Sequence, residues 1–219
     1  MFMVRFCATA LALAILAPSG SASAKPVAFA GGTTAMAEYG AGTMVEAQVF
    51  YAPSHRWSLG GGYLYLDSDV DGATRNIAYG RANRLVRRWN LESAQANVFV
   101  WGGVGAARGS DFAGQEVTGI AGGQIDYETR RIYASLKTDY VYSDAFAHRI
   151  DTLQLGAAPY AHEYGGLATW LVVQARNYTG DIYRGTEWAL LLRLFRRNAW
   201  VEAGVTEDGR LQSMLMFNF

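Results

Sequence analysis

The stretch Ile132-Tyr133-Ala134-Ser135-Leu136-Lys137-Thr138-Asp139-Tyr140-Val141-Tyr142 decides the fold. Ile132, Ala134, Leu136, Thr138, Tyr140 and Tyr142 share one parity, and Tyr133, Ser135, Lys137 and Asp139 share the other. A period of two belongs to an extended strand, whose successive side chains point to opposite faces; a helix would mix the two sets. The same alternation returns further along. Leu153 and Leu155 oppose Thr152 and Gln154, and Trp188, Leu190, Leu192 and Leu194 oppose Glu187 and Arg193. Val201, Ala203 and Val205 oppose Glu202, and Leu211, Ser213, Leu215, Phe217 and Phe219 oppose Gln212, Met214, Met216 and Asn218.

Turn chemistry interrupts these runs and sorts into two alternating kinds. One kind is tight and rich in arginine: Pro53 to Arg56, Arg87 to Asn90, Thr129-Arg130, Tyr160 to Gly166, and Arg196 to Asn198. The other is more acidic: Asp67 to Gly72, Arg108 to Glu116, Ser143 to Arg149, Asn177 to Gly185, and Glu207 to Arg210 with its Asp-Gly pair. The segments between them predict twelve antiparallel strands, with eight or ten as the alternative. An even number returns the chain to the side where it started, as a closed barrel needs.

Composition fits this reading. The chain has 219 residues, 51% of them hydrophobic, and no net charge, which excludes a disordered tail. A mean hydropathy of +0.02 excludes a helical membrane protein. A 13% aromatic content and 25 glycines suit a β-rich chain. Met1 to Ala24 carries Arg5, an apolar stretch from Phe6 to Ala17, and the small-residue ending Ala22-Ser23-Ala24, the layout of a cleaved secretory signal. Its apolar run is too short for an anchor helix, which needs roughly 20 residues. Residues 1–24 are therefore expected to leave, taking Cys7, the only cysteine, and residues 25–219 to form one domain.

Alternation does not say which face is wet, but the aromatic residues do. Tyr51, Trp57, Tyr63, Tyr65, Tyr127, Tyr140, Tyr142, Tyr178, Trp188, Trp200, Phe217 and Phe219 cluster near predicted strand ends, where rings form girdles at a membrane interface. The ending Leu215-Met216-Phe217-Asn218-Phe219 resembles the C-terminal assembly signal of bacterial outer-membrane β-barrel proteins, with Leu215, Phe217 and Phe219 as its apolar positions. That resemblance implies an all-β transmembrane up-and-down barrel in the bacterial outer membrane. It also implies insertion by the barrel assembly machinery, tight turns on the periplasmic side, and outer-membrane lipids as the surroundings.

Turning the polar face inward makes Glu46, Gln95, Asp126, Glu128, Lys137, Asp139, Arg176, Arg193 and Glu202 the candidate lumen lining, joined by Gln48, Asn97, Gln124, Gln154, Gln174 and Gln212. With both charge signs interspersed, the lumen reads as a narrow polar path for small solutes or as a closed structural interior. A partner-dependent envelope export role, moving a polysaccharide or lipid, is the alternative. The outer loops, at most about nine residues, are expected to make poor lids.

Reaction chemistry is sparse, and a non-enzyme without cofactor is the expectation. Asp67, Asp69 and Asp71 begin a calcium-loop pattern, but Ala78 stands where its bidentate glutamate belongs. Ser143, Asp144 and His148 are the only candidates for an embedded hydrolase, and His55, His148 and His162 cannot cluster. The glycine clusters at 60–62, 102–105 and 122–123 precede no helix, so they read as curvature or bulges rather than phosphate loops. Paired arginines in the tight turns suit lipid phosphates better than nucleic acid, which is not an expected partner.

Overall fold

The computed structural model describes residues 27, 29–68, 72–161, 166–180 and 182–219. The expected signal segment, Asp69, Asp71 and His162 lie outside the described residues. Those described form twelve strands: β1 (Thr33–Gly40), β2 (Met44–Ser54), β3 (Trp57–Asp67), β4 (Thr74–Asn90), β5 (Ala94–Gly109), β6 (Glu116–Thr129), β7 (Ile132–Tyr142), β8 (Ala147–Ala157), β9 (Ala168–Gly180), β10 (Gly185–Arg196), β11 (Ala199–Thr206) and β12 (Leu211–Asn218). Each pairs antiparallel with its sequence neighbours, and β1 closes the ring against β12. Twelve strands is thus the number, rather than eight or ten. The start of β1 and the end of β12 meet at what is called here the terminal end, where Thr33 and Phe219 exchange backbone hydrogen bonds of 2.6 and 2.8 Å.

The alternation in the sequence becomes a partition between two surfaces. Val45, Val49, Leu59, Val100, Ile125, Leu136, Leu153, Leu171, Leu190 and Leu215 point outward and are exposed. Gln48, Asn83, Asn97, Gln174, Arg176, Arg193 and Glu202 are buried in the interior. Tyr39, Tyr63, Tyr140, Tyr142 and Trp188 ring the outer wall toward the distal end, and Tyr51, Trp57, Trp89, Tyr127 and Phe219 ring it toward the terminal end. Hydrocarbon between two aromatic belts is the only surrounding that leaves such an exterior without a hydrophobic penalty.

Tyr178 departs from the expected girdle, buried in the inner cluster at the distal end, and so does Trp200. Trp200 shares the parity of Glu202 and points inward, donating its indole N–H to that carboxylate at 2.7 Å. The run Arg87 to Asn90, expected as a turn, instead extends β4 beyond the end of β3. A register shift between Leu85 and Arg87 produces it, and the turn falls at residues 91–93. β8 starts three residues earlier than expected, so His148 stands in the wall rather than in a loop.

The glycines also have a different reason. No register shift falls at the three clusters; the two shifts recorded lie between Tyr51 and Ser54 and between Leu85 and Arg87. Gly62 and Gly122 instead make room for rings inside the lumen: a Cβ on Gly62 would lie 2.5 Å from the Tyr79 hydroxyl, and one on Gly122 would lie 2.3 Å from Trp101 Nε1.

The outward placement of Leu190, which is 57% exposed, gives a direct check. Leu190→Arg should weaken folding into lipid vesicles by about 2–4 kcal/mol if the position meets the bilayer midplane. Urea titration followed by the heat-dependent shift in gel mobility reads this out, and an unchanged midpoint would mean that the surface does not face acyl chains.

Candidate functional site: the barrel lumen

The interior is layered, with apolar clusters toward both ends and charge in the middle. In the middle, Arg193 Nε donates to Glu202 Oε1 at 2.9 Å and its Nη2 donates to Gln154 Oε1 at 2.7 Å. The guanidinium lies between the Tyr133 and Trp200 rings, 4.4 Å from each centroid. Gln154 donates to Gln174 at 2.8 Å, Gln174 donates to Gln212 at 2.7 Å, and Gln212 donates to Glu187. A glutamine relays such a chain because its amide donates at one end and accepts at the other.

Across the lumen Lys137 Nζ pairs with Asp139 at 2.8 Å, and the same carboxylate accepts the Trp101 indole N–H at 3.0 Å. Arg81 donates to Gln48 at 2.9 Å and lies 4.8 Å from the Phe50 ring and 5.1 Å from the Trp101 ring. Glu46 accepts the Tyr79 hydroxyl at 2.5 Å, and Arg176 pairs with Glu38. Cations buried here would be costly alone; each has a carboxylate, an amide oxygen or an aromatic face against it.

Two chambers meet at this layer. The larger, about 140 Å³, runs toward the terminal end past Trp200 and Thr34. The smaller, about 30 Å³, lies on the distal side and is walled by Leu64, Ile120, Val141 and Ile150. Glu38, Arg81, Lys137, Thr152 and Arg176 border both and so form the partition between them.

The distal mouth is closed, contrary to the expectation that loops this short make poor lids. Each of three loops needs only one or two large side chains to do it: Phe112 from β5–β6, Phe146 from β7–β8, and Ile182 with Tyr183 from β9–β10 pack on an apolar cluster of wall residues. Phe112 stacks on Phe146 at 5.5 Å, and Tyr183 meets Tyr178 edge-on at 4.7 Å. Arg75 fixes the closure, with its guanidinium 4.3 Å from the Phe146 ring and ion-paired to Asp111. At the terminal end Val27 packs with Ala52, Leu85, Phe99 and Trp101, and a second cluster forms around Trp170 and Leu191.

Of the residues expected to line the lumen, Lys137, Arg176, Arg193 and Glu202 border the larger chamber, and Glu46 and Asp139 the smaller one. Asp126, Gln95 and Glu128 belong to β5 and β6 nearer the terminal rim, where Asp126 accepts from Asn97 at 2.6 Å and Gln95 pairs in register with Glu128. Glu38, Arg81, Tyr133 and Trp101 were not expected at the site. The alternation Arg75, Ile77, Tyr79, Arg81, Asn83 carries the signal for Arg81, and the parity that Tyr133 shares with Ser135, Lys137 and Asp139 carries it for that ring. Leu215 and Phe219 of the assembly signal are exposed on the outer wall, and Phe217 pairs with Ala35 and Ala199.

The hydrolase candidates take other roles. Ser143 Oγ accepts the backbone N–H groups of Ala145 and Phe146 at 3.2 and 3.1 Å, closing its own turn. His148 is buried in the distal wall against Tyr178, ring centroids 6.4 Å apart. Among the described residues no group of three His, Cys, Asp or Glu side chains is placed to hold a metal ion.

A closed antiparallel barrel with an apolar exterior, aromatic belts and a charged, hydrogen-bonded interior is a transmembrane β-barrel. No protein-family model and no curated protein matches the chain. Among solved structures it is similar to one described as "KdgM porin", with 9% sequence identity over 86% of this chain and 98% of that chain, at a TM-score of 0.44. A likeness this slight brings nothing of that porin's properties to this chain.

The Arg193 and Glu202 side chains are only 3% and 4% exposed, which makes their coupling measurable. Arg193→Met strands a buried carboxylate and should cost about 3–5 kcal/mol, while the double change to methionine should recover much of it. Unfolding midpoints of both single variants and the double variant in detergent check this; a double loss equal to the sum of the two single losses would mean that the pair is uncoupled.

Proposed function

We propose that this protein is a bacterial outer-membrane barrel offering small, polar, uncharged solutes a narrow passive path that is closed at rest. One observation carries the reading: a small polar lumen whose fixed charges cancel when its two chambers are taken together. Arg81, Lys137, Arg176 and Arg193 are matched by Glu38, Glu46, Asp139 and Glu202 around the two chambers. A neutral lumen gives a bare ion no net reward for leaving water, while its amides and hydroxyls can replace a polar solute's hydration. At about 140 Å³ the larger chamber holds roughly five waters, or a solute of glycerol size, at about 30 Å³ per water.

Among the described residues the closure is made by side chains of short loops, which supports gating by loop movement rather than by an inserted domain. Proteoliposome swelling tests it. Glycerol should enter slowly through the wild type and sucrose should not, and Phe146→Ala combined with Tyr183→Ala should speed glycerol entry several-fold. If neither protein admits glycerol, the lumen is not a path. In the opened variant Lys137→Glu should shift the reversal potential toward cations, since it changes the lining by two charges; an unchanged potential would remove Lys137 from the path.

The alternative of a partner-dependent export component draws support from the uneven height of the wall. β4 and β5 run 17 and 16 residues against 8 for β1, β11 and β12, and the excess of β4 stands beyond Arg84 at the terminal end. Shortening that hairpin would leave glycerol entry unchanged under the channel reading and abolish export under the other.

A further inference from the structure

The two ends of the barrel treat their arginines differently. At the distal end Arg75 pairs with Asp111, Arg149 with Asp151 at 2.9 Å, and Arg210 with Asp208 at 3.0 Å. At the terminal end Arg56, Arg84, Arg87, Arg130, Arg196 and Arg197 are exposed, and none has a carboxylate partner among the described residues. They belong to four different hairpins around the rim, the distribution expected of a leaflet that encircles the barrel rather than of a protein docked on one side.

Two of them are placed with particular care. Residues three apart in a regular strand face opposite sides, so Arg84 and Arg87 should diverge. The register shift between Leu85 and Arg87 cancels that divergence. Arg84 then pairs opposite Val100 and Arg87 opposite Val98, both on the outer parity, while Arg88 turns inward to donate to Asn97 at 2.7 Å. Arg84 lies 5.2 Å from the Trp57 ring and Arg87 lies 5.4 Å from the Trp89 ring. Each guanidinium carbon lies over an indole ring while no carboxylate among the described residues takes its N–H groups, a presentation that suits a phosphate oxygen.

We propose that Arg84 and Arg87, with Trp57 and Trp89, form a binding site for a phospholipid phosphate on the outer wall at the terminal end. The surface next to the site favours a lipid over a soluble anion. Leu59, Val86 and Val100 are 51%, 51% and 43% exposed there, a strip that an acyl chain covers and a free ion does not. The site rests on the membrane-barrel reading given above and not on the solute path.

The test uses the full folded chain in maltoside detergent, with phosphatidylglycerol as the probe and native mass spectrometry counting retained lipid. The wild type should retain the lipid, and Arg84→Gln with Arg87→Gln should weaken retention at least about tenfold, the loss of one or two charge-assisted hydrogen bonds. Arg149→Gln, at the opposite end, should leave it unchanged. Inorganic phosphate at about ten times the lipid concentration should not displace it; displacement would reassign the site to free anions. Equal retention by wild type and double variant would overturn the proposal. Heat-dependent gel mobility reports folding, and if the glutamine variant fails to fold, Arg84→Lys with Arg87→Lys keeps charge without the planar fork and should still bind several-fold more weakly than wild type. A chain that folds in buffer without detergent would instead defeat the membrane reading before any lipid is added.

Discussion

Every feature of this molecule depends on the ring of backbone hydrogen bonds and on its last seam, where β1 meets β12 in register from Thr34 opposite Asn218 to Gly40 opposite Gln212. Lipid offers no partner to a strand edge, so an open sheet would expose a row of unsatisfied N–H and C=O groups, each costing several kcal/mol. Closure removes that cost and at the same stroke creates an inside. Once the outer parity is given to Val, Leu and Tyr, the remaining half of each strand has nowhere to go but the axis. The polar lumen is therefore a consequence of being sealed in hydrocarbon, before any question of transport arises.

The contents of the lumen follow from its width. A barrel of eight strands is just filled by side chains and one of sixteen or more holds an open channel, so twelve strands leave space that long side chains span only in part. Arginine and glutamine reach furthest toward the axis, and they dominate the middle layer. Each guanidinium there is held on more than one side, as Arg193 is by Glu202, Gln154 and two rings. Such a layer is rigid enough to divide the lumen into two chambers and polar enough to keep them wet. The distal aromatic cluster is different in kind. It rests on three short loops and a single ion-paired arginine, so the plug is the part of the lumen with the least backbone behind it.

Legibility in the sequence divides along the same physical line. Strand number and facing were readable because the period of two is imposed by the pleat itself, and the β7 stretch from Ile132 to Tyr142 shows both faces without help from tertiary structure. Inward charges followed by parity. What escaped were features set by contacts across the barrel. Trp200 is a different case: it reads as a girdle residue by position along the chain, although the parity it shares with Glu202 in β11 already places it inside. The rings of Tyr79 and Trp101 fit because Gly62 and Gly122 leave space for them, a relation between different strands that no local pattern carries. The bulge after Leu85 has no marker such as a glycine, and it inverts the parity of every residue from Arg87 to Asn90.

That inversion shows why the ends of the strands matter more than their middles for what this barrel meets. Within the membrane band, parity leaves one choice for each residue, and the sequence must obey it. Beyond the band both faces are wet, the constraint lapses, and a bulge can reassign side chains without exposing anything polar to acyl tails. Arginine is the residue type best able to exploit this freedom. Its charge resists burial unless paired, while its plane stacks on tryptophan at the depth where headgroups begin. At the distal rim Arg75, Arg149 and Arg210 pair with carboxylates of that same rim, whereas the exposed arginines of the terminal rim have none among the described residues. Two ends built from the same hairpin architecture thus acquire different electrostatic characters, and a barrel with such ends has a preferred orientation toward any anionic leaflet or partner it encounters.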